Sequence, residues 1–431
     1  MIESGTGTAP HEGCAYGRQR PHTETCLTEV GPGTPMGELM RRYWHPIALS
    51  ARLKELPRKV RVLGEDLVLF RDRVGRPGLL YPRCMHRGAS LYYGRTEERG
   101  IRCCYHGWLY DVEGRCLEQP CEPGGGCQRE TIRQPWYPVE ERYGFVFAYL
   151  GPPGKKPILP RYDNMEDMNP AEALANSLGG FGATADMSLS VLPYSWLNMN
   201  DNIMDPFHVH VLHTTFSVVQ FVHQYALMPR VDFFETENGV CYAAVRRLDN
   251  GREVERISSW LMPNVASVPD ITMQSGRSIA VSWIVPVDDT HHVYAMAIRV
   301  PRKMLDQTKA RGLVMNGKTW GDMTEEEHQS MPGDYEAQAG QGPVSLHSEE
   351  HLVTSDRGLM MQRRMLMRGI EVVARGGDPA GVTFDPANAL VHVRSGNFYR
   401  RVGPASDART PADRRGGSNG RSADDVSAGS I

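Results

Sequence analysis

Two short runs of the 431-residue chain set thiols beside imidazoles. Arg83-Cys84-Met85-His86-Arg87-Gly88 carries one of each in a tight loop. Cys103-Cys104-Tyr105-His106-Gly107-Trp108 repeats the pairing after sixteen residues that separate it from His86. A [2Fe–2S] centre with two cysteines on one iron and two histidines on the other needs this mixture, and it has a higher potential than an all-cysteine cluster. A structural zinc site draws on the same ligand types, but it usually keeps like ligands together, as Cys-x-x-Cys and His-x-x-x-His. Here each loop mixes them. The expected ligands are Cys84, His86, Cys103 and His106, with Cys104 able on residue type alone to replace Cys103. Cys116, Cys121 and Cys127 have no histidine at suitable spacing and read as structural.

A second constellation lies at Asn202-x-x-Asp205-x-x-His208-x-x-x-x-His213. Spacings of three put Asn202, Asp205 and His208 along one stripe of a helix. His208 and His213 are five apart, about 140° around a regular helix, so they reach one metal only if the helix bends, for which Pro206 is a cause. Two histidines and a carboxylate with open positions suit non-haem Fe(II) that handles O2. One histidine alone would read as an ordinary core or surface residue; three within six residues beside an aspartate do not. His210 is the spare, pointing elsewhere. The third ligand must come from a distant carboxylate, with Glu349, Glu350 and Asp356 as candidates. Asp356 begins a helix, where it could also simply face the helix dipole, and spacing alone does not choose.

The elements that must hold these residues divide the chain. Residues 1–26 and 403–431, rich in small, polar and charged residues, are expected to be disordered, the latter as a tail. Thr34-Pro35 opens a helix to Trp44. Short β-branched runs with Gly and Pro turns follow at Val60–Leu63, Leu67–Arg71, Gly78–Tyr81, Arg102–Tyr110 and Gly144–Leu150, predicting an antiparallel β domain over 27–155. Gly151-Pro152-Pro153-Gly154-Lys155-Lys156-Pro157 reads as a linker. A second domain over 156–402 should hold a helical stretch across Trp196–His213, strands at Gly239–Leu248, Glu253–Met262, Arg277–Pro286 and His291–Val300, a polar loop-rich segment over 302–350, and a helix over Thr354–Ala374. The fold class expected is α+β, an all-β metal domain followed by a large antiparallel sheet with helices. Apolar residues make up 40%, charged residues 23%, and the net charge is −3. That balance points to neither nucleic acid nor an anionic membrane. No apolar run of eighteen occurs, and the first 25 residues lack a secretory apolar core. Nine cysteines, six of them between Cys84 and Cys127, fit metal binding in a cytosolic chain better than disulfides.

Together these motifs, with Thr34–Trp44, Ser355-Asp356, Arg363-Arg364 and Asp378-Pro379, resemble the α subunits of Rieske aromatic-ring oxygenases, specifically the phthalate dioxygenase group that includes phenoxybenzoate and chlorobenzoate dioxygenases. The resemblance covers most of residues 27–385. It implies that Cys103 rather than Cys104 binds the cluster, Cys104 standing where many relatives have proline. It also implies that Asp356 completes the iron site with His208 and His213, and that Asn202 lines the iron pocket. It further implies that Asp205 links His208 to His106 of a neighbouring protomer, hence a trimer or stacked trimers.

The activity implied is cis-dihydroxylation of a small aromatic compound in aromatic catabolism, an aromatic carboxylate such as phthalate or a chlorobenzoate. A separate NADH-dependent reductase with FMN and a plant-type ferredoxin would supply electrons. A monooxygenase or O-demethylase shares every ligand. A non-catalytic electron carrier or zinc-stabilised binding protein would lack the second site. Arg246 and Arg247 fall on a predicted strand, so alternation turns one of them inward, where an arginine could take a carboxylate bidentately.

Overall fold

The computed structural model describes residues 20–126, 128–178, 191–217, 219–305, 314–315, 318–319 and 323–401. Helices α1 (Thr25–Thr28) and α2 (Pro35–Met40) come first. Thr34 caps α2 with its hydroxyl, which accepts from Gly37 N at 3.1 Å, and Pro35 takes the first helical position. Eleven short strands follow: β1 (Trp44–Leu49), β2 (Arg58–Val62), β3 (Glu65–Arg71), β4 (Pro77–Leu80), β5 (Arg95–Glu97), β6 (Gly100–Arg102), β7 (Leu109–Tyr110), β8 (Cys116–Glu118), β9 (Trp136–Tyr137), β10 (Val139–Arg142) and β11 (Phe145–Tyr149). They pair into three antiparallel sheets, ordered β1-β11-β10, β2-β3-β4-β9 and β5-β6-β7-β8.

The remaining strands are β12 (Arg161–Tyr162), β13 (Glu172–Leu178), β14 (Arg230–Thr236), β15 (Gly239–Arg247), β16 (Arg252–Leu261), β17 (Val265–Ser267), β18 (Gly276–Arg277), β19 (Ala280–Asp288), β20 (His291–Pro301), β21 (Val314–Met315), β22 (Lys318–Thr319), β23 (Leu390–Val391) and β24 (Gly396–Arg401). A large antiparallel sheet runs β13-β20-β19-β17-β16-β15-β14, with β24 beside β16 and β18 beside β24. Helices α3 (Asp163–Glu166), α4 (Trp196–Ile203), α5 (His208–His210), α6 (Glu325–Ser330), α7 (Asp334–Ala339) and α8 (Arg357–Ala374) complete the half. Helix α8 buries Leu359 and Leu366 and packs on α2, β14 and β15. The fold is α+β. No helix among the described residues is long and apolar enough to cross a membrane.

Three expectations change. Residues 20–26 are ordered: His22 N donates to Ser348 Oγ at 2.9 Å, Ser348 N donates to His22 O at 3.2 Å, and Glu24 N donates to His347 Nδ1 at 2.9 Å. The expectations for 1–19, 403–431 and Cys127 lie outside the described residues. The Gly-Pro segment at 151–157 is pinned, because Trp44 Nε1 donates to Pro157 O at 2.9 Å and Lys155 reaches Asp378 at 3.0 Å. One apolar core runs through both halves: Phe145, Phe147 and Tyr162 set their rings edge-on to Trp283 at 5.5 to 5.8 Å. Finally, the segment expected to be loop-rich over 302–350 contains α6 and α7.

Candidate metal centres

The two sulfur–imidazole loops share one backbone plan. In the first, Cys84 N donates to Ala89 O at 2.9 Å and Gly88 N to Cys84 O at 2.8 Å. In the second, Cys103 N donates to Trp108 O at 2.9 Å and Gly107 N to Cys103 O at 3.1 Å. Both turns need left-handed backbone at the fourth residue after the cysteine, and Gly88 (φ 75°) and Gly107 (φ 73°) supply it without a Cβ clash. The loops face each other. The His86 and His106 rings lie 4.4 Å apart, and Trp108 stacks on His86 at 4.6 Å.

Cys84 and Cys103 are both buried, while Cys104 and Tyr105 face solvent. Around them Val68, Phe70, Leu80, Leu91 and Tyr110 form a separate small core. Burial pushes the Cys84 thiol up, partly offset by the Tyr110 hydroxyl 3.2 Å from its sulfur. A thiolate in such a place calls for a metal cation to compensate it. His86 Nδ1 is buried with no hydrogen-bond partner. Gln134 clamps the first loop, its amide nitrogen donating to Tyr81 O and Arg83 O while its oxygen accepts from Met85 N. These donors fit a mixed Cys2His2 cluster.

The second site begins where α4 ends. The helix stops at Ile203, ahead of the buried Pro206, and Asp205 Oδ1 accepts from Phe207 N at 2.8 Å and His208 N at 3.3 Å to restart the chain as α5. The next turn, Val211–Thr215, is a π-helix in which Phe216 N donates to Val211 O at 2.8 Å. The wider turn brings His213 round to His208, as the five-residue spacing demanded; Pro206, expected to supply this bend, lies ahead of both histidines and only separates α4 from α5. The carboxylate that meets them is Asp334, the first residue of α7.

Asp334 Oδ1 lies 3.3 Å from His213 Nε2 and 3.6 Å from His208 Nε2. Donors at about 2.1 Å from one ion and at right angles would sit about 3.0 Å apart, so these separations suit adjacent positions on one metal. Burial works against the Asp334 anion, yet the two facing histidines and the Asn202 amide hold the carboxyl down at about 2.

Surrounding groups fix the ring orientations. Gln220 Nε2 donates to Pro332 O at 2.8 Å, and that carbonyl can only accept. Gln220 Oε1 therefore faces His213 Nδ1 at 2.7 Å, so Nδ1 carries the proton and Nε2 presents its lone pair toward Asp334. Asn202 Nδ2 donates to Asp334 at 3.1 Å, and Asp205 Oδ2 sits 3.6 Å from His208 Nδ1. Replacing Gln220 with leucine is expected to weaken iron retention about 10- to 100-fold. Anaerobic chelator titration of the iron would check this, and unchanged retention would refute the role given to Gln220.

Asp356, expected as the third ligand, lies elsewhere. Its carboxylate accepts from Val353 N at 2.7 Å within the short turn Thr354–Asp356 that leads into α8. Glu350 is taken up by Arg363, which also binds Asp201. Asp334 escaped the sequence reading because its segment read as loop; the available signal was Gly333-Asp334-x-Glu336, an acidic first helical turn. His210 turns to the Tyr225 carbonyl at 3.4 Å, away from the triad. Of the two strand arginines, Arg246 is buried and Arg247 exposed.

An iron–sulfur lobe joined to a sheet-backed site of two histidines and one carboxylate is the layout of a non-haem iron oxygenase. Residues 43–136 match the family described as Rieske [2Fe-2S] domain. Over 394 residues the chain is 54% identical to the phenoxybenzoate dioxygenase subunit alpha of Ectopseudomonas oleovorans, covering 91% of this chain and 95% of that one. It is 37% identical over 424 residues to the tert-butanol monooxygenase / tert-amyl alcohol desaturase oxygenase subunit of Aquincola tertiaricarbonis, covering 90% and 83% of the two chains. The crystal structure of dicamba monooxygenase bound to dicamba shares the fold, with a TM-score of 0.58 at 16% identity over 78% of this chain and 98% of that one. The chain belongs to the Rieske aromatic-ring oxygenases, as an oxygenase α subunit.

Proposed function

We propose that this chain is the terminal oxygenase of a bacterial cytoplasmic system that adds both atoms of O2 to an aromatic carboxylate, giving a cis-dihydrodiol. Per turnover, one NADH and one proton supply the two electrons and the hydrogen, through a separate flavin and ferredoxin reductase. The reading rests on the His208–His213–Asp334 triad, supported by the 54% identity to a phenoxybenzoate dioxygenase subunit. When bound, the cluster held by Cys84, His86, Cys103 and His106 supplies single electrons, and iron held by the triad supplies the centre that activates O2.

The chain's own residues do the rest. Gln220 sets the His213 tautomer, and Asn202 holds the Asp334 carboxylate. Phe221, 4.2 Å from the His213 ring, and Val209 keep that side apolar and limit water. Asp205, one-third exposed beside His208, would meet His106 of an adjoining protomer in the trimer that the family resemblance implies.

Labelling with 18O2 in the presence of reductase, NADH and phenoxybenzoate tests the reading. Two labelled atoms per product are expected. One labelled atom would instead establish monooxygenation, the second reading, which the tert-butanol monooxygenase relative favours. No labelled product from a panel of aromatic carboxylates would sink both.

A further inference from the structure

We propose that Arg102 is the positioning residue of the second cluster loop, and that its fixed charge, balanced by Glu97 and Glu118, sets how readily the cluster takes up an electron. The proposal rests on the Rieske domain at residues 43–136 and is independent of which substrate is oxidised. Arg102 ends β6, immediately before Cys103, and its side chain is 19% exposed. Its Nη1 donates to Gly107 O at 2.6 Å, so the guanidinium spans the base of the turn that carries Cys103 and His106. Nε and Nη2 take the two oxygens of Glu97, each at 2.8 Å, and Nη2 also donates to Glu118 Oε2 at 2.6 Å. A bidentate pair of this kind fixes direction as well as distance. Glu97 lies on β5 and Glu118 on β8, so carboxylates from both edges of the sheet converge on the one guanidinium.

The first loop supplies an internal contrast. There Gln134 does the holding with a neutral amide, through Tyr81 O, Arg83 O and Met85 N. Holding a cluster loop therefore does not require a charge, and the second loop has one. Arg95 and Arg99 also pair with Glu97 and Glu118, so three arginines meet two carboxylates and one positive charge is in surplus. Arg102, with help from Arg95, holds the Glu97 carboxyl down at about 2, so it stays ionised throughout the neutral range. Exposed ion pairs by themselves add little to stability. This network differs in being tied to the carbonyl next to His106.

The charge matters because of what the cluster does. Two ferric ions, two sulfides and two cysteine thiolates sum to no net charge, and the electron taken up leaves a single negative charge. No bond forms or breaks in that step. A cation fixed beside the loop favours the reduced form, and an anion there opposes it. Arg102 and Glu97 thus act in opposite directions on one equilibrium, although both brace the same loop.

The test is an anaerobic redox titration of the holoenzyme against mediator dyes at neutral pH. It follows the visible bands of the cluster and uses neither reductase nor substrate. Relative to the unmodified protein, Arg102→Gln is expected to weaken electron uptake roughly tenfold, a drop of about 59 mV for one electron. Glu97→Gln should strengthen uptake, and Arg102→Lys, which keeps the charge and loses the fork, should stay within about twofold of the unmodified protein. The gap between Arg102→Gln and Glu97→Gln should narrow as salt is raised, because fixed charges are screened and packing is not. A merely structural role would move both variants the same way. Should Arg102→Gln lose the cluster, the sign is read from Glu97→Gln and Glu118→Gln, both expected to strengthen uptake. Shifts of one sign in Arg102→Gln and Glu97→Gln, or no strengthening in either glutamate variant, overturn the proposal. Unmodified protein without the visible bands strikes the Rieske reading itself, and the proposal falls with it.

Discussion

Asp334→Ala is expected to remove the mononuclear iron and leave the [2Fe–2S] cluster intact, taking about one-third of the iron. Turnover should fall at least about a thousandfold, because an O2-activating metal held by two histidines alone loses the carboxylate that completes its facial set. Helix α7 should survive, since the Glu336 carboxylate still accepts from Gly333 N at 2.7 Å. Asp356→Ala is the paired control. It removes only the hydrogen bond to Val353 N, at a stability cost of about 1 kcal/mol, and should keep both its iron and its activity. Iron analysis with visible spectra on anaerobically purified protein separates the two variants. Should Asp356→Ala be the one that loses iron, the site described here is wrong.

The second large effect concerns the adjacent cysteines. Cys103→Ser should abolish the broad visible absorption of the cluster and, with it, electron supply and turnover. Cys104→Ser should retain both. The reason is placement: Cys103 lies buried opposite Cys84, within reach of its charge, and Cys104 faces water. Equal loss in both variants, or loss in Cys104→Ser alone, would require the loop to be threaded differently.

How much of this was legible depends on how local each feature is. Each cluster loop fits within six residues, so the ligand types, the glycine and the spacing all appear together. The bend between His208 and His213 was legible only in part: a five-residue separation cannot serve one metal on a regular helix, but Pro206 lies ahead of both histidines, and the turn that joins them is the π-helix at Val211–Thr215. Asp334 was not legible, since its pairing is a long-range contact made by folding, and a helical start on a short polar segment looks like a loop. The family resemblance drew attention to Ser355-Asp356, whose local capping role satisfies it. Strand β13 is not legible for a different reason: its sequence, Glu172–Leu178, is a good helix former, and pairing along β20 overrides that preference. Alternation along β15 said that one of two arginines faces inward, and only packing selects Arg246.

The tryptophan-centred junction between the two halves also bears on how this chain can be handled. Phe145, Phe147 and Tyr162 close over Trp283, so cutting within 151–157 would not release two self-sufficient modules. Each fragment would carry a bare aromatic face, a hazard for aggregation. The lobe that holds the sulfur ligands would keep its own interior but expose the apolar face it now buries against the second half. Expression of either part alone is thus a poor route to studying one metal without the other, and point substitutions in the intact polypeptide are the better tool.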